Sequence, residues 1–332
     1  MNHELRTTNY ERRAFTLIEI VVAIGLLAIV LIFAGSIFKS GIGSYRIATA
    51  QAEIMQKLRA ITEQLNSDFK GLRKDAPLFI WFQKGLSGPD DANRFDQIMF
   101  FADGDFQSTK LWPNKPIIGN VARIYYGQTQ SPKILARRQH ISTADTTLDA
   151  WPDPNNFATF NLVNNDFYEH DRISLSQWQA LANDPAIPLK VDQIITACFA
   201  NPPAVDITDP NTFHLLMTEG VGSFSVQWSY LFTNAGQTFI YWWPSNDPDG
   251  NGNFSDSDFG PDPLSMMLNS FGFYFYSVAP TGWFSSDGAK GIYYPSVKPV
   301  YPQALKFTFT IYDSKGVFKE GQTFTHIVYL GD

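Results

Sequence analysis

Residues 20–38 form an unbroken apolar run, IVVAIGLLAIVLIFAGSIF, with no charge in it. Nineteen residues at ~1.5 Å each give ~28 Å, close to the ~30 Å hydrocarbon core of a bilayer. The chain has one such run, so the pattern predicts a single anchor and speaks against a transporter. From Tyr45 the pattern becomes amphipathic. Tyr45, Ala48, Ala52, Met55, Leu58, Ile61, Leu65, Phe69 and Leu72 recur every three or four residues, with Lys57, Arg59, Glu63 and Asp68 between them. Together the two patterns predict one helix from about residue 15 to residue 72, ~87 Å long at ~1.5 Å per residue. Gly41 and Gly43 mark its expected weak point, and Pro77 lies beyond its end.

Helical periodicity then mostly stops. Short β-branched and aromatic runs alternate with Gly, Pro, Asn and Asp clusters, the pattern of strands and loops. Strands are predicted over 98–102, 121–126, 134–140, 222–230, 238–243, 271–278, 304–312 and 323–330, and a short helix over 176–182. Leu305, Phe307, Phe309 and Ile311 alternate onto one face, and Asp313-Ser314-Lys315-Gly316 reads as the turn after them. The expected architecture is α+β: a long N-terminal helix against an antiparallel β-sheet head. Its segments are 1–14, an apolar helix half at 15–38, an amphipathic half at 39–75 and a β-rich head at 76–332.

The flanks of the apolar run set its orientation. Arg6, Arg12 and Arg13 stand against Glu4 and Glu11 in the first fourteen residues. The slight positive excess keeps that end in the cytoplasm and exports the C-terminal body. An ordinary secretory signal is the competing reading, with Ala48-Thr49-Ala50 as its small-residue site. That site lies twelve residues past Phe38, beyond Lys39 and Arg46, and the apolar stretch is longer than the ~7–15 residues such signals use. Glu19 is the anomaly: an ionised residue inside an apolar helix costs ~2.5–3.5 kcal/mol on insertion scales and calls for a partner. The simpler account is that Glu19 marks the cytoplasmic rim of the span. The sharper one pairs it with a positive charge made by cutting the chain nearby.

Arg12-Arg13-Ala14-Phe15-Thr16-Leu17-Ile18-Glu19, followed by some twenty apolar residues, resembles the class III leader of type IV pilins and pseudopilins. The resemblance implies that a prepilin peptidase cuts between Ala14 and Phe15 and methylates the new terminus. Residues 1–14 would then be the leader. It also implies that Glu19, the fifth mature residue, neutralises an N-terminal amine during filament assembly, a pairing that a low dielectric favours. Ala14 departs from the family's usual Gly, and both residues are small. In the C-terminal third, Gly220-Val221-Gly222-Ser223-Phe224-Ser225-Val226, then Trp242-Trp243, then Tyr301-Pro302-Gln303-Ala304-Leu305-Lys306-Phe307 is similar to J-type minor pseudopilins of type II secretion and to W-type minor pilins. Long insertions around 141–215 and 244–300 depart from that pattern. The partners implied are the prepilin peptidase, other pseudopilins or minor pilins, the inner-membrane assembly platform and membrane lipid. The place implied is the inner membrane, with an extracytoplasmic head near a filament tip.

Composition narrows the field. The 332 residues carry a net charge of −7, which disfavours a nucleic-acid binder. The one cysteine, Cys198, excludes an internal disulfide and a multi-cysteine metal site, and reads as a small buried hydrophobe. Hydrophobic residues make up 44% and aromatics 15%, enough for a packed, sheet-rich core. There is no nucleophile elbow, His-Glu-x-x-His, dinucleotide fingerprint or phosphate loop, and no catalytic residue is assigned, so a non-enzymatic protein is expected. Arg137-Arg138-Gln139-His140 reads as a strand end with solvated charges in preference to a basic contact patch. His170-Asp171 reads as neighbours pointing to opposite faces.

One loop carries candidate chemistry. Asp247, Asp249, Asn251, Asn253, Ser255 and Asp258, with Gly252 at the sharp turn, fit the spacing of a twelve-residue calcium loop in which Asp258 replaces the usual bidentate Glu. The alternative is an acidic surface loop rich in turn formers. A rival to the filament subunit is a membrane-tethered carbohydrate-binding or hydrolytic domain, suggested by Trp151, Trp242, Trp243, Trp283 and spare carboxylates.

Overall fold

A computed structural model describes residues 15–82, 94–111, 114–143, 169–171, 175–176, 203–206, 208–234, 237–243, 271–275, 282–285, 290–292 and 301–331. Its helix α1, Leu17–Lys70, continues through Gly41 and Gly43 without a break. The chain divides into two compact units, Met1–Ala52 and Glu53–Asp332.

In the second unit the helix buries Ile54, Ile61, Leu65 and Phe69 in one hydrophobic core. This corrects the stripe read from the sequence: Tyr45, Ala48, Ala52 and Met55 are exposed, and Ile54 is buried in place of Met55. The helix stops at Gly71, where a Cβ would stand 1.9 Å from the Asp103 carbonyl oxygen. Only a residue without a side chain permits that approach. There the backbone turns into the sheet, with Asp103 N donating to Gly71 O at 2.7 Å.

Among the described residues the larger sheet has nine strands. Its path is β11 (Lys290–Ile292), β10 (Gly282–Ser285), β9 (Phe271–Phe275), β1 (Leu78–Trp81), β2 (Gln97–Leu111), β3 (Pro116–Gln128), β4 (Ile134–Ser142) and β5 (His170–Asp171), with β6 (Leu216–Glu219) also paired to β4. Only the β4–β5 pairing is parallel; the other described pairings in it are antiparallel. The smaller sheet is antiparallel, in the order β13 (Gln322–Tyr329), β12 (Ala304–Ile311), β7 (Val221–Asn234) and β8 (Gln237–Trp243). Both sheets contribute to the core around the helix. Phe69 stacks on Phe100 with ring centres 4.1 Å apart and meets Phe307 at 5.6 Å. The long helix packed on these sheets is an α+β, pilin-like fold.

β2 outruns its prediction because Asp103-Gly104-Asp105, a breaker by composition, sits at a register shift in which the strand continues. β1 escaped prediction because four consecutive apolar residues, all buried, show no alternation. The segment 276–278 lies outside the described residues, as does nearly all of the helix expected at 176–182.

The reading of Arg137–His140 as solvated is wrong. Cross-strand pairing puts Arg137 beside Tyr126 on the helix-facing side, and Arg138 and His140 beside Tyr125 and Arg123 on the other. Arg138 and His140 are both buried. That second face is covered and polar. Arg123 Nε donates to Asp171 Oδ2 at 3.1 Å, and Tyr125 OH to Gln97 Oε1 at 2.6 Å. His170 and Asp171 are both buried. Asp68, expected on the polar side of the helix, is buried too.

Candidate functional site

The helix start is built from Phe15 to Glu19. Phe15 is exposed. Thr16 occupies the position before the first helical residue and Glu19 the third helical position. Glu19 Oε2 accepts from the Thr16 backbone N–H and from Thr16 Oγ1, both at 2.9 Å. Thr16 Oγ1 in turn accepts from Glu19 N–H at 3.3 Å. This is a reciprocal capping box, which satisfies N–H groups that have no partner within the helix. A reading of Glu19 by charge alone leaves Thr16 out; the Thr-x-x-Glu spacing is the sequence sign of the cap. Glu19 Oε1 takes no part in these bonds.

Beyond the cap, α1 is the one helix among the described residues long and apolar enough to cross a membrane, and no protein covers its apolar window. Ile24, Leu27, Leu31 and Phe38 are all more than half exposed. A helix apolar on every side with no protein over it is suited to lipid or to the helices of other subunits. Ala23, small and one turn after Glu19, leaves a shallow notch of about 290 Å³ bounded by Ile18, Val22 and Leu26.

Ala14, the residue before the expected cut, lies outside the described residues, and so do Asp247, Asp249, Asn251, Asn253, Ser255 and Asp258. Among the described residues no group of three or more His, Cys, Asp or Glu side chains is placed to hold a metal ion. Trp151 also lies outside them. Trp242 is half-buried, with Lys306 Nζ 4.8 Å from its ring centre. Of the predicted processing and assembly residues, the structure ties Glu19 to Thr16 and leaves Phe15 exposed beside them in sequence.

A second charged cluster fastens the helix to the head. Lys57 Nζ donates to Tyr312 O at 3.0 Å and pairs with Glu53 at 2.8 Å. Glu53 accepts from Ser314 N and Ser314 Oγ, both at 2.9 Å. Burial works against the charge on Glu53, and Lys57 and Ser314 outweigh it and hold the carboxyl below its ordinary pKa. Sequence reading missed this cluster, because its partners lie 255 and 261 residues apart.

Residues 11–35 match the family model described as the prokaryotic N-terminal methylation motif. No curated protein and no solved structure matches the chain. The matched segment spans the Arg12-Arg13-Ala14-Phe15 junction, the Thr16–Glu19 cap and most of the apolar run. The motif is typical of the class III leader of type IV pilins and pseudopilins and implies processing by a prepilin peptidase. The motif opens a helix whose apolar window no described residue covers, and further along that helix Ile54, Ile61, Leu65 and Phe69 pack into the core between the sheets: the leader and the fold are pilin-like, and the apolar window is long enough to serve as a membrane anchor.

Proposed function

We propose that the protein is a minor pseudopilin or minor pilin, a structural subunit of a type II secretion or type IV pilus-like filament. The observation that carries this reading is the methylation motif at residues 11–35, placed at the start of a helix whose apolar half none of the described residues covers. Cleavage between Ala14 and Phe15 creates an amine one residue before Thr16. The Glu19 carboxylate, already bonded to Thr16, stands within one helical turn of that amine. In the apolar environment of a bilayer or of packed helices, an amine and a carboxylate attract far more strongly than in water. The pairing therefore favours a processed subunit seated beside its neighbours. The N-terminus faces the cytoplasm and the head is exported. The partners are the other filament subunits and the inner-membrane assembly platform, and the protein performs no catalysis.

Two measurements test this. Terminal peptide mass spectrometry on protein from native membranes should find N-methylated Phe15 as the first residue. A terminus at Gln51 would instead mean ordinary signal cleavage and would sink the proposal. Glu19→Ala and Glu19→Gln should leave the protein in the membrane fraction yet abolish cross-links to partner subunits. Normal cross-linking by both variants would remove the charge-pairing argument.

A further inference from the structure

Strand β13 lies at one end of the smaller sheet, and among the described residues it pairs only with β12. Natural edge strands are protected by charge, proline, a bulge, shortness or a cover. β13 lacks the first four of these. It is eight residues long and pairs with β12 in unbroken register. From Gly321 to Gly331 there is no Lys, Arg, Asp, Glu or Pro. Nor is it covered: Thr323, Thr325, Ile327 and Tyr329 are exposed, Tyr329 at 79%.

The backbone geometry tells which groups are open. Leu330 N donates to Gln303 O on the β12 side at 2.8 Å. Successive residues of a strand aim their N–H and C=O to alternate sides. Gln322, Phe324, His326 and Val328 therefore bond to β12, and Thr323, Thr325, Ile327 and Tyr329 present theirs at the open edge.

We infer that this edge pairs with β13 of a second copy of the chain, antiparallel about a two-fold axis at His326. In that register Thr323 faces the copy's Tyr329 and Thr325 faces the copy's Ile327. All four outward residues are then used, which gives about eight backbone hydrogen bonds across the axis. The side-chain pairs are compatible as well. One face brings together Thr with Tyr and Thr with Ile, and the other Phe324 with Val328. Aromatic and β-branched residues stabilise such cross-strand contacts. The strand has no Lys, Arg, Asp or Glu to meet its like in the copy, and His326, which stands on the axis, is already engaged with Asn66 Oδ1 of the helix at 2.9 Å. The Ser/Thr rows on the outer face would run on into the copy: Ser223 donates to Thr310 at 3.0 Å, and Thr310 lies 2.9 Å from Thr323. The inference does not rest on the filament reading, since it uses only the second unit.

The test uses the full chain in detergent micelles, its mass followed by light scattering as it is diluted. Wild type should pass from dimer to monomer. Thr325→Pro removes an outward N–H and leaves the β12 ladder intact, and Ile327→Lys puts a charge on the edge. Each should shift the midpoint at least ~10-fold toward monomer, with near-UV circular dichroism unchanged. Helix α1 is intact in both variants, so a dimer that both retain would be held elsewhere and would overturn the inference. A wild-type monomer at all concentrations would overturn it too. Should either variant misfold, hydrogen exchange on wild type decides. The amides of Thr323, Thr325, Ile327 and Tyr329 should be protected in the dimer and exchange freely on dilution; free exchange in the dimer overturns the pairing.

Discussion

Asp68 on the helix and Arg137 on β4, 69 residues apart in sequence, form a two-pronged ion pair: Nε to Oδ2 at 2.7 Å and Nη2 to Oδ1 at 2.7 Å. Tyr126 OH donates to the same carboxylate, and Gln64 Nε2 donates to it at 3.0 Å. Burial and the Asp68 charge push the Tyr126 phenol well above its ordinary pKa, so it stays a neutral donor. Every oxygen of a buried carboxylate is thereby engaged, which a buried charge requires.

Removing Asp68 alone leaves a guanidinium and a phenol without their acceptor in a largely dry site. Asp68→Ala should cost about 3 kcal/mol, a fall of roughly 6–12 °C in Tm for a domain of this size. Asp68→Leu combined with Arg137→Leu should recover part of that loss, because it removes the stranded guanidinium while Tyr126 OH still lacks its acceptor. Thermal unfolding followed by near-UV circular dichroism checks both variants. Equal losses in the single and double variants would show that apolar side chains cannot fill the site.

Gly71 makes a second, independent join between helix and sheet. A Cβ there would meet the Asp103 backbone at 1.9 Å, and backbone cannot swing aside as a side chain can. Gly71→Ala should therefore destabilise by about 1–3 kcal/mol through overpacking, although alanine is the better helix former. Gly41→Ala is the control: a Cβ at Gly41 meets nothing within 4 Å, so this change should be neutral or slightly stabilising. The comparison of the two melting temperatures checks the prediction.

Asp313 closes the turn between β12 and β13. Its carboxylate accepts from the N–H groups of Lys315 at 3.1 Å, Val317 at 2.9 Å and Phe318 at 2.8 Å. Burial would raise its pKa, and the three N–H donors outweigh burial and lower it. A carboxyl depressed in the folded state stabilises the fold above its unfolded pKa, ~3.9 for Asp. That stability is lost as pH falls below ~3.9 through the folded value. Asp313→Asn should melt lower than wild type at neutral pH, and the difference should shrink as pH falls below ~3.9. A gap that stays constant to pH 2 would show that the charge contributes nothing.

The legible parts of the molecule are those whose signal is local. The apolar run and the three-to-four spacing after it gave a helix within two residues of Leu17 and Lys70. The alternation of Leu305, Phe307, Phe309 and Ile311 gave β12 and its buried face. Thr16 and Glu19, three residues apart, share one motif. Arg137 carries no such sign: whether it is solvated depends on Asp68, and nothing near residue 137 announces a partner on a helix 69 residues earlier. Arg138 and His140 failed for a related reason. A strand with one apolar and one polar face reads as half-solvated, whereas this sheet is covered on its polar side as well.

The acidic loop supplies the last prediction. Asp247, Asp249, Asn251, Ser255 and Asp258 place oxygen side chains at positions 1, 3, 5, 9 and 12, Gly252 stands at position 6, and the Asn253 carbonyl would serve at position 7. Calcium takes six to eight oxygen ligands in a flexible geometry, and magnesium demands a tighter octahedron. Three carboxylates at ligand positions, with Asp258 where a longer Glu usually reaches, predict a modest affinity of ~10⁻⁴–10⁻³ M. If the head is exported, as proposed, such a site would fill where calcium is plentiful, and binding to the folded form alone raises stability by mass action. Melting of the full-length protein should therefore rise with millimolar Ca²⁺, rise far less with Mg²⁺ and fall back with EDTA. Asp247→Ala with Asp249→Ala should abolish the response and leave the metal-free melting temperature unchanged. A wild-type protein indifferent to Ca²⁺, with no binding heat by calorimetry, would return the loop to a solvated turn in which the carboxylates serve solubility alone.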